Sequence, residues 1–348
     1  MADASTLPGP SASPRGEALL SLRNLKTYFA QDEGVVKAVD GVSFDLYPGV
    51  TLGIVGESGC GKSVTARSIL RIVDRPGRIV EGEIWFRRPG ANGGGQVVDL
   101  AKLAPNGEEM RSIRGAEIAL IFQEPMSSFS PVHSVGNQID EAIRLHQPVG
   151  RREARVKTIE MLRRVGVSSP EQRVDQLAHQ LSGGLRQRAM IAMALSCQPT
   201  LLIADEPTTA LDVTTQTQIL ELMRQLQQED GMAIMLITHD LGVVAEMATD
   251  VVVMYLGRVV EQGPVDAIFH SPRHPYTRAL LRSIPRLRAR TRERLVPIAG
   301  SVPHPYARPA GCPFHLRCTE FMAGTCDRRQ PELRPIGDGH TVSCFLYE

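Results

Sequence analysis

The chain has 348 residues, is 42% hydrophobic, and carries 39 basic against 38 acidic residues for a formal charge of +1. That length suits about two domains of ~100–200 residues with real cores, and so even a charge balance excludes nucleic-acid binding through bulk electrostatics. No apolar run approaches the ~20 residues needed to cross a bilayer.

Residues 1–17 are rich in Ala, Ser and Pro without a continuous apolar stretch, and read as a disordered tail rather than a secretion signal. Thr51–Val55 is a short apolar run that ends at a glycine-rich loop. Ser63–Val73 follows with Val64, Ile69, Leu70 and Val73 near helical spacing. Ile118–Phe122 reads as a second buried strand. Between residues 124 and 185 the pattern is helical, with Ile159, Leu162 and Val165 recurring among Arg and Lys, and reads as an inserted subdomain. Leu201–Ala204, Ala233–Thr238 and Val251–Leu256 have the length of buried strands. Val213–Glu229 places Ile219, Leu222 and Leu226 on one helical face. This alternation predicts an α/β fold, a mostly parallel sheet covered by helices, over residues 18–265. Composition shifts near Val265, and residues 266–348 read as a separate loop-rich C-terminal domain.

Gly56-Glu57-Ser58-Gly59-Cys60-Gly61-Lys62-Ser63 fits G-x-x-x-x-G-K-[ST] between a strand and a helix. Its glycines let backbone amides converge on phosphate oxygens, and the helix that follows offers its N-terminal amides to the same anion. Lys62 is expected to reach the β- and γ-phosphates of ATP, and the Ser63 hydroxyl to ligate Mg²⁺. Cys60 is read as a small filler rather than a nucleophile. Leu201–Ala204 leads into Asp205-Glu206-Pro207, where Asp205 can hold the Mg²⁺ shell and Glu206 can orient or deprotonate water. An Asp-Glu pair beside a phosphate loop points to hydrolysis.

Leu181-Ser182-Gly183-Gly184-Leu185-Arg186-Gln187-Arg188 resembles the signature motif of ATP-binding-cassette (ABC) ATPases, with Leu185 where Gln is commonest. Ser182, Gly183 and Gly184 open a helix and make a second anion-ready N-terminus. One nucleotide needs only one phosphate cradle, so the economical arrangement is a dimer in which the second cradle caps the partner's γ-phosphate. The resemblance implies a Q-loop glutamine at Gln123, which would also touch Mg²⁺. It implies a D-loop at Ala210-Leu211-Asp212 and a switch histidine at His239. It also implies an aromatic residue against adenine, where Phe29 aligns and Tyr28 is the alternative. A strand lets only one of those two rings face the nucleotide.

GESGCGKS at Gly56–Ser63, the segment Gln123–Ser128 and His274-Pro275-Tyr276-Thr277 are similar to the dipeptide/oligopeptide importer ATPases, from about Ala18 to the C-terminus. That resemblance implies a peripheral subunit at the cytoplasmic face of the cell membrane. Its partners would be a paralogous ATPase or a second copy, two transmembrane permeases and an extracytoplasmic substrate-binding protein. Nickel and glutathione importers are related alternatives. A soluble cassette ATPase of repair or translation is disfavoured, because such chains carry two cassettes or long coiled coils.

Cys312, Cys318, Cys326 and Cys344 are spaced by six, eight and eighteen positions. A cytosolic ATPase rarely keeps disulfides, so metal binding is the better reading. Zinc ribbons pair cysteines as C-x₂₋₄-C, and this wider spacing suits a [4Fe–4S] cluster better, with zinc and unligated thiols as alternatives. The importer resemblance also implies an iron–sulfur cluster through GCPFHxRC. His315 reads as a neighbour of the site rather than a ligand. Arg273–Arg294 holds eight arginines against one acid, Glu293, with only Tyr276 as an aromatic. It reads as a solvated face near anionic lipid or acidic partner loops, with no nucleic acid expected.

Overall fold

The computed structural model describes residues 16–90, 95–123, 128–209, 211–283 and 298–348. The expected N-terminal tail, apart from residues 16 and 17, lies outside the described residues.

The chain opens with an antiparallel hairpin, β1 (Leu20–Gln31) and β2 (Gly34–Leu46), and then runs into β3 (Thr51–Val55). Every residue of β3 is buried, which explains its unbroken apolar run: it lies between two parallel neighbours with both faces covered. The phosphate loop leads to α1 (Lys62–Ile69). Helical spacing in the sequence runs on to Val73, but α1 ends four residues earlier, where Arg71 takes a left-handed backbone (φ 55°). Strands β4 (Gly77–Arg87) and β5 (Val97–Asp99) complete a four-stranded sheet in the order β2-β1-β4-β5. This antiparallel sheet has no counterpart in the sequence-based expectation. Its strands mix polar and apolar residues because one face packs on the core and the other meets solvent.

After α2 (Glu108–Ile113) comes β6 (Ile118–Ile121). Helices α3 (Val135–His146), α4 (Arg151–Arg164), the single turn α5 (Pro170–Arg173) and α6 (Gly183–Leu195) then intervene before β7 (Leu201–Asp205). Strands β6 and β7 pair in parallel, so these helices form an excursion between neighbouring strands. The chain continues through α7 (Val213–Asp230), β8 (Ala233–Ile237), α8 (Leu241–Met247), β9 (Asp250–Tyr255) and β10 (Arg258–Pro264). On α7, Ile219, Leu222 and Leu226 face the core as their spacing predicts. The C-terminal part holds α9 (Val265–His270), α10 (Pro275–Arg282), β11 (Arg334–Gly337) and β12 (His340–Val342).

The main sheet runs β11-β12-β10-β9-β3-β8-β7-β6. Strands β9, β3, β8, β7 and β6 are parallel; β10, β12 and β11 are antiparallel additions. The compositional boundary near residue 265 is therefore not a boundary in packing. The last two strands extend the sheet, and one apolar cluster joins Tyr255 and Val253 to Tyr276, Phe314, Cys312 and Phe345. The fully buried Glu261 of β10 fixes this junction by accepting bonds from the backbone of Arg273 and His274 and from the His340 ring at 2.7 Å. The main sheet's other faces are covered by two further clusters. One unites β1, β2, β4 and α1 with β3, and the other unites α3, α4 and α6 with β7 and β8.

Candidate functional site

Two glycines show why the phosphate loop takes its shape. At Gly56 (φ 150°) a Cβ would collide with the Met254 carbonyl oxygen, and at Gly61 (φ 101°) with that of Ala38. Both positions combine left-handed backbone with close approach of a neighbouring strand, which only glycine tolerates. Gly61 caps α1, so the amides of Lys62 and Ser63 open that helix toward the loop. Ser58 and Gly59 are exposed at the loop's tip, while Cys60 is buried against Gly56. Burial pushes the Cys60 thiol up, in keeping with a filler rather than a reactive group.

Lys62 Nζ donates to the carbonyl oxygens of Gly56 at 2.7 Å and Glu57 at 3.2 Å. Ser63 Oγ donates to Asp205 Oδ1 at 2.9 Å, which brings the loop and the end of β7 together across 142 positions of sequence. Burial pushes the Asp205 carboxyl up, an effect opposed by the Ser63 hydroxyl and added to by neighbouring Glu206. Ser63 and Asp205 thus present hard oxygen donors side by side, the donor type that Mg²⁺ takes.

Glu206 follows β7 with a left-handed backbone (φ 49°), held by its N–H donating to the Ile237 carbonyl at 2.8 Å. A non-glycine residue there is strained, and the strain aims the side chain off the strand end. Three groups meet its carboxylate. Gln123 Nε2 donates to Oε2 at 3.1 Å, Thr209 Oγ1 donates to the same oxygen at 2.9 Å, and His239 Nδ1 lies 3.2 Å from Oε1. Burial alone would raise this carboxyl, but the bonds from Thr209 and His239 hold it below its ordinary range, so it is ionised at neutral pH. Gln123, Glu206 and His239 lie 83 and 33 positions apart and come from the ends of β6, β7 and β8. Such a gathering at the carboxyl ends of parallel strands is where α/β folds place ligands. Thr209 was not singled out from the sequence. Its position three residues after Glu206 is the signal that a turn could return its hydroxyl to that carboxylate.

The two aromatic candidates take opposite faces of β1. The Tyr28 hydroxyl donates to Asp40 Oδ1 at 2.5 Å, and burial together with Asp40 pushes its phenol up to about 12. The Phe29 ring lies against Gly77 and has no polar tether. Asp40 is in turn held by Arg258 at 2.5 Å and Arg308 at 2.8 Å.

Ser182 caps α6, its hydroxyl accepting from the Leu185 N–H at 3.4 Å, and Gly183 is exposed. Among the described residues, Ser182, Gly183 and Gly184 make no hydrogen bond to residues 56–63 or to Glu206. The helix is nevertheless tied to the strand end, because Gln187 donates to the Pro207 carbonyl. Asp212 caps α7 through bonds from the Thr215 N–H at 2.9 Å and hydroxyl at 2.8 Å, so its carboxylate serves its own helix. A Cβ on Gly184 would stand 2.9 Å from the Thr215 methyl, which places the two helix starts in contact. Ala210 and residues 124–127 lie outside the described residues.

The Glu57 carboxylate accepts from Arg317 at 2.7 and 3.1 Å, which leaves its backbone to the loop. Within the arginine run, Arg278 bonds Glu320 at 2.6 Å and the Tyr347 hydroxyl at 2.8 Å; residues 284–297 lie outside the described residues. The four C-terminal cysteines are unpaired, and each of Cys312, Cys318 and Cys344 feels the charge of its fellows. Burial pushes Cys312 up to about 12 and Cys344 to about 11. No group of three or more His, Cys, Asp or Glu among the described residues is arranged to hold a metal ion.

A phosphate loop, an acid pair at the end of β7 bonded to that loop and to Gln123, Thr209 and His239, and a second exposed helix start with no hydrogen bond to the loop among the described residues define a nucleoside-triphosphatase cassette. The comparisons agree. The ABC transporter family profile matches residues 39–209, and that of the oligopeptide/dipeptide transporter C-terminal region matches residues 260–326. A probable peptide ABC transporter ATP-binding protein of Sinorhizobium fredii is 50% identical, across 96% of both chains. The dipeptide transport ATP-binding protein DppD of Escherichia coli is 47% identical, across 94% of this chain and 96% of its own length. Among solved structures, the dimeric ATP-binding cassette MJ0796 bound to ADP and Pi covers 71% of this chain and 98% of its own, at 25% identity and a TM-score of 0.61. The chain belongs to the ABC transporter family and, within it, to the ATP-hydrolysing subunits of dipeptide/oligopeptide importers.

Proposed function

We propose that this chain couples ATP binding and hydrolysis to the uptake of di- and oligopeptides through two partner permeases. It pairs with a second cassette, a paralogue or another copy, works at the cytoplasmic face of the membrane and receives peptide from an extracytoplasmic binding protein. The convergence of Gln123, Thr209 and His239 on the Glu206 carboxylate, one residue from the Asp205–Ser63 bond, carries this reading. No helix among the described residues is long and apolar enough to cross a membrane, so translocation falls to partners.

In this reading the backbone from Gly56 to Ser63 wraps the phosphates, Lys62 neutralises them, and Phe29 stacks on adenine, leaving Tyr28 to brace Asp40. Ser63, Asp205 and Gln123 would hold Mg²⁺, which would offset the charge of the phosphates. Glu206 orients the attacking water and accepts its proton, while His239 senses the γ-phosphate and steadies the carboxylate. Ser182, Gly183 and Gly184 close the partner's site, with Asp212 at the same interface. Glu206→Gln tests the assignment in the assembled transporter: ATP binding persists, while steady-state hydrolysis and peptide uptake fall together. Normal turnover in that variant removes Glu206 from the mechanism.

For the C-terminal cysteines we propose a [4Fe–4S] cluster held by Cys312, Cys318, Cys326 and Cys344. Support comes from the four thiols sharing one neighbourhood, Cys312 lying within electrostatic reach of Cys318, Cys326 and Cys344. Bound, it would cross-link the loops around residues 312–326 to the C-terminus. Iron and acid-labile sulfide in anaerobically purified protein, both lost in Cys318→Ser, test it; metal-free protein or stoichiometric zinc contradicts it.

A further inference from the structure

We propose that Tyr276 and Arg317, both in the C-terminal region, are positioning residues that hold the phosphate loop in its binding shape by gripping Glu57. The inference rests on the reading of Gly56–Ser63 as the ATP phosphate loop.

The peptide between Gly56 and Glu57 is gripped from both sides. Its carbonyl accepts from Lys62 Nζ at 2.7 Å, and its N–H donates to the Tyr276 hydroxyl at 2.9 Å. A peptide is planar, so fixing the N–H fixes the direction of the carbonyl and with it the rest position of the lysine ammonium. Tyr276 is fully buried and makes ring contacts with Tyr255 and Phe314 at centroid distances of 4.7 and 5.3 Å, so its hydroxyl cannot swing away. The Glu57 side chain is held as firmly. Arg317 grips it with two bonds, donates Nε to the Ala299 carbonyl at 3.0 Å and approaches the Tyr255 hydroxyl at 3.3 Å. Arg317 is only 8% exposed and the Glu57 side chain 24%, so this is a fork-to-carboxylate pair in a partly desolvated site.

The chemistry at stake is charge. Glu57 is an anion one residue into a loop built for phosphates. Paired with Arg317, its charge is neutralised and turned away; unpaired, it would repel the ligand and free the loop's first peptide. Tyr276 and Arg317 are 219 and 260 positions from Glu57, and nothing in a phosphate-loop motif requires them. In this chain the C-terminal region is thereby made part of the nucleotide site.

The test is a double-mutant cycle on the full-length chain. It is read by equilibrium binding of a fluorescent ATP analogue and by KM and kcat for ATP in the assembled transporter. Arg317→Met is expected to weaken nucleotide binding by ~10-fold or more, as for a buried pair left with one uncompensated charge, raising KM far more than it lowers kcat. Adding Glu57→Gln to Arg317→Met should recover most of that loss, because the exposed anion is gone. Tyr276→Phe, which removes only the hydroxyl, should weaken binding ~3- to 10-fold. A merely structural Arg317 would give losses that Glu57→Gln does not relieve, and that result overturns the proposal. Unaltered affinity in Tyr276→Phe overturns it as well, and decides the matter should Arg317→Met fail to fold. Lys62→Ala is measured alongside. If it leaves nucleotide binding intact, the phosphate-loop reading itself fails; if it abolishes binding while Arg317→Met binds normally, only the clamp does.

Discussion

Glu206 gathers Gln123, Thr209 and His239 on one carboxylate. It is ionised because hydrogen bonds from Thr209 and His239 outweigh the cost of its partial burial, while Asp205 beside it is pushed the other way by deeper burial. Two adjacent acids are thus driven apart in proton affinity by their surroundings. Only the anion can take a proton from water, so Glu206→Gln keeps the shape and removes the base that the proposed mechanism needs. Hydrolysis should fall ~10²- to 10⁴-fold with nucleotide affinity preserved, measured as single-turnover phosphate release beside equilibrium binding. The phosphate loop and the Asp-Glu pair are legible in the sequence because they are contiguous motifs whose chemistry is local. Thr209 and Arg317 are not, because their partners are chosen by chain reversal and by packing.

At the scale of elements, α10 shows how one cap ties local structure to pH. His274 is its N-cap, and its Nδ1 accepts from the Tyr276 N–H at 3.0 Å, a bond that only an unprotonated nitrogen can make. Complete burial, with Arg278 nearby, pushes the ring from its ordinary 6.5 down to about 3. The unfolded chain therefore binds a proton that the folded chain refuses. Between pH 6.5 and about 3 this group removes stability as pH falls; above pH 6.5 it contributes no slope. His274→Asn keeps a capping oxygen and abolishes the titration. Melting temperature should drop less between pH 7 and 5 in the variant than in the parent, at some cost in stability at neutral pH from lost contact with Phe314. Equal slopes would show that His274 takes up its proton in the folded chain as readily as in the unfolded one.

Over the whole molecule, the exposed start of α6 is separated in its contacts from the phosphate loop, and Val213 at the start of α7 is 80% exposed. A chain that holds two anion-ready helix starts but one loop–acid cluster should need a second cassette to complete either site. ATPase activity per chain is therefore expected to rise with protein concentration, or with addition of the partner cassette, and Ser182→Arg should suppress it without preventing ATP binding. A rate per chain that is independent of concentration in a monodisperse monomer would contradict this.

The sequence by itself determined the buried parallel strands, the phosphate loop, the acid pair and the signature glycines, because each is a short pattern whose cause lies within a few residues. It did not reveal the antiparallel sheet around β1, whose strands alternate too weakly to be read. Nor did it reveal that β11 and β12 join the main sheet instead of standing apart. Tertiary structure alone decided that Gln123, Thr209 and His239 share one carboxylate, that Glu57 turns toward Arg317, and that Tyr276 holds the loop's first peptide. Those choices depend on which strand ends lie side by side and which buried polar groups must find partners, and neither is encoded in local spacing.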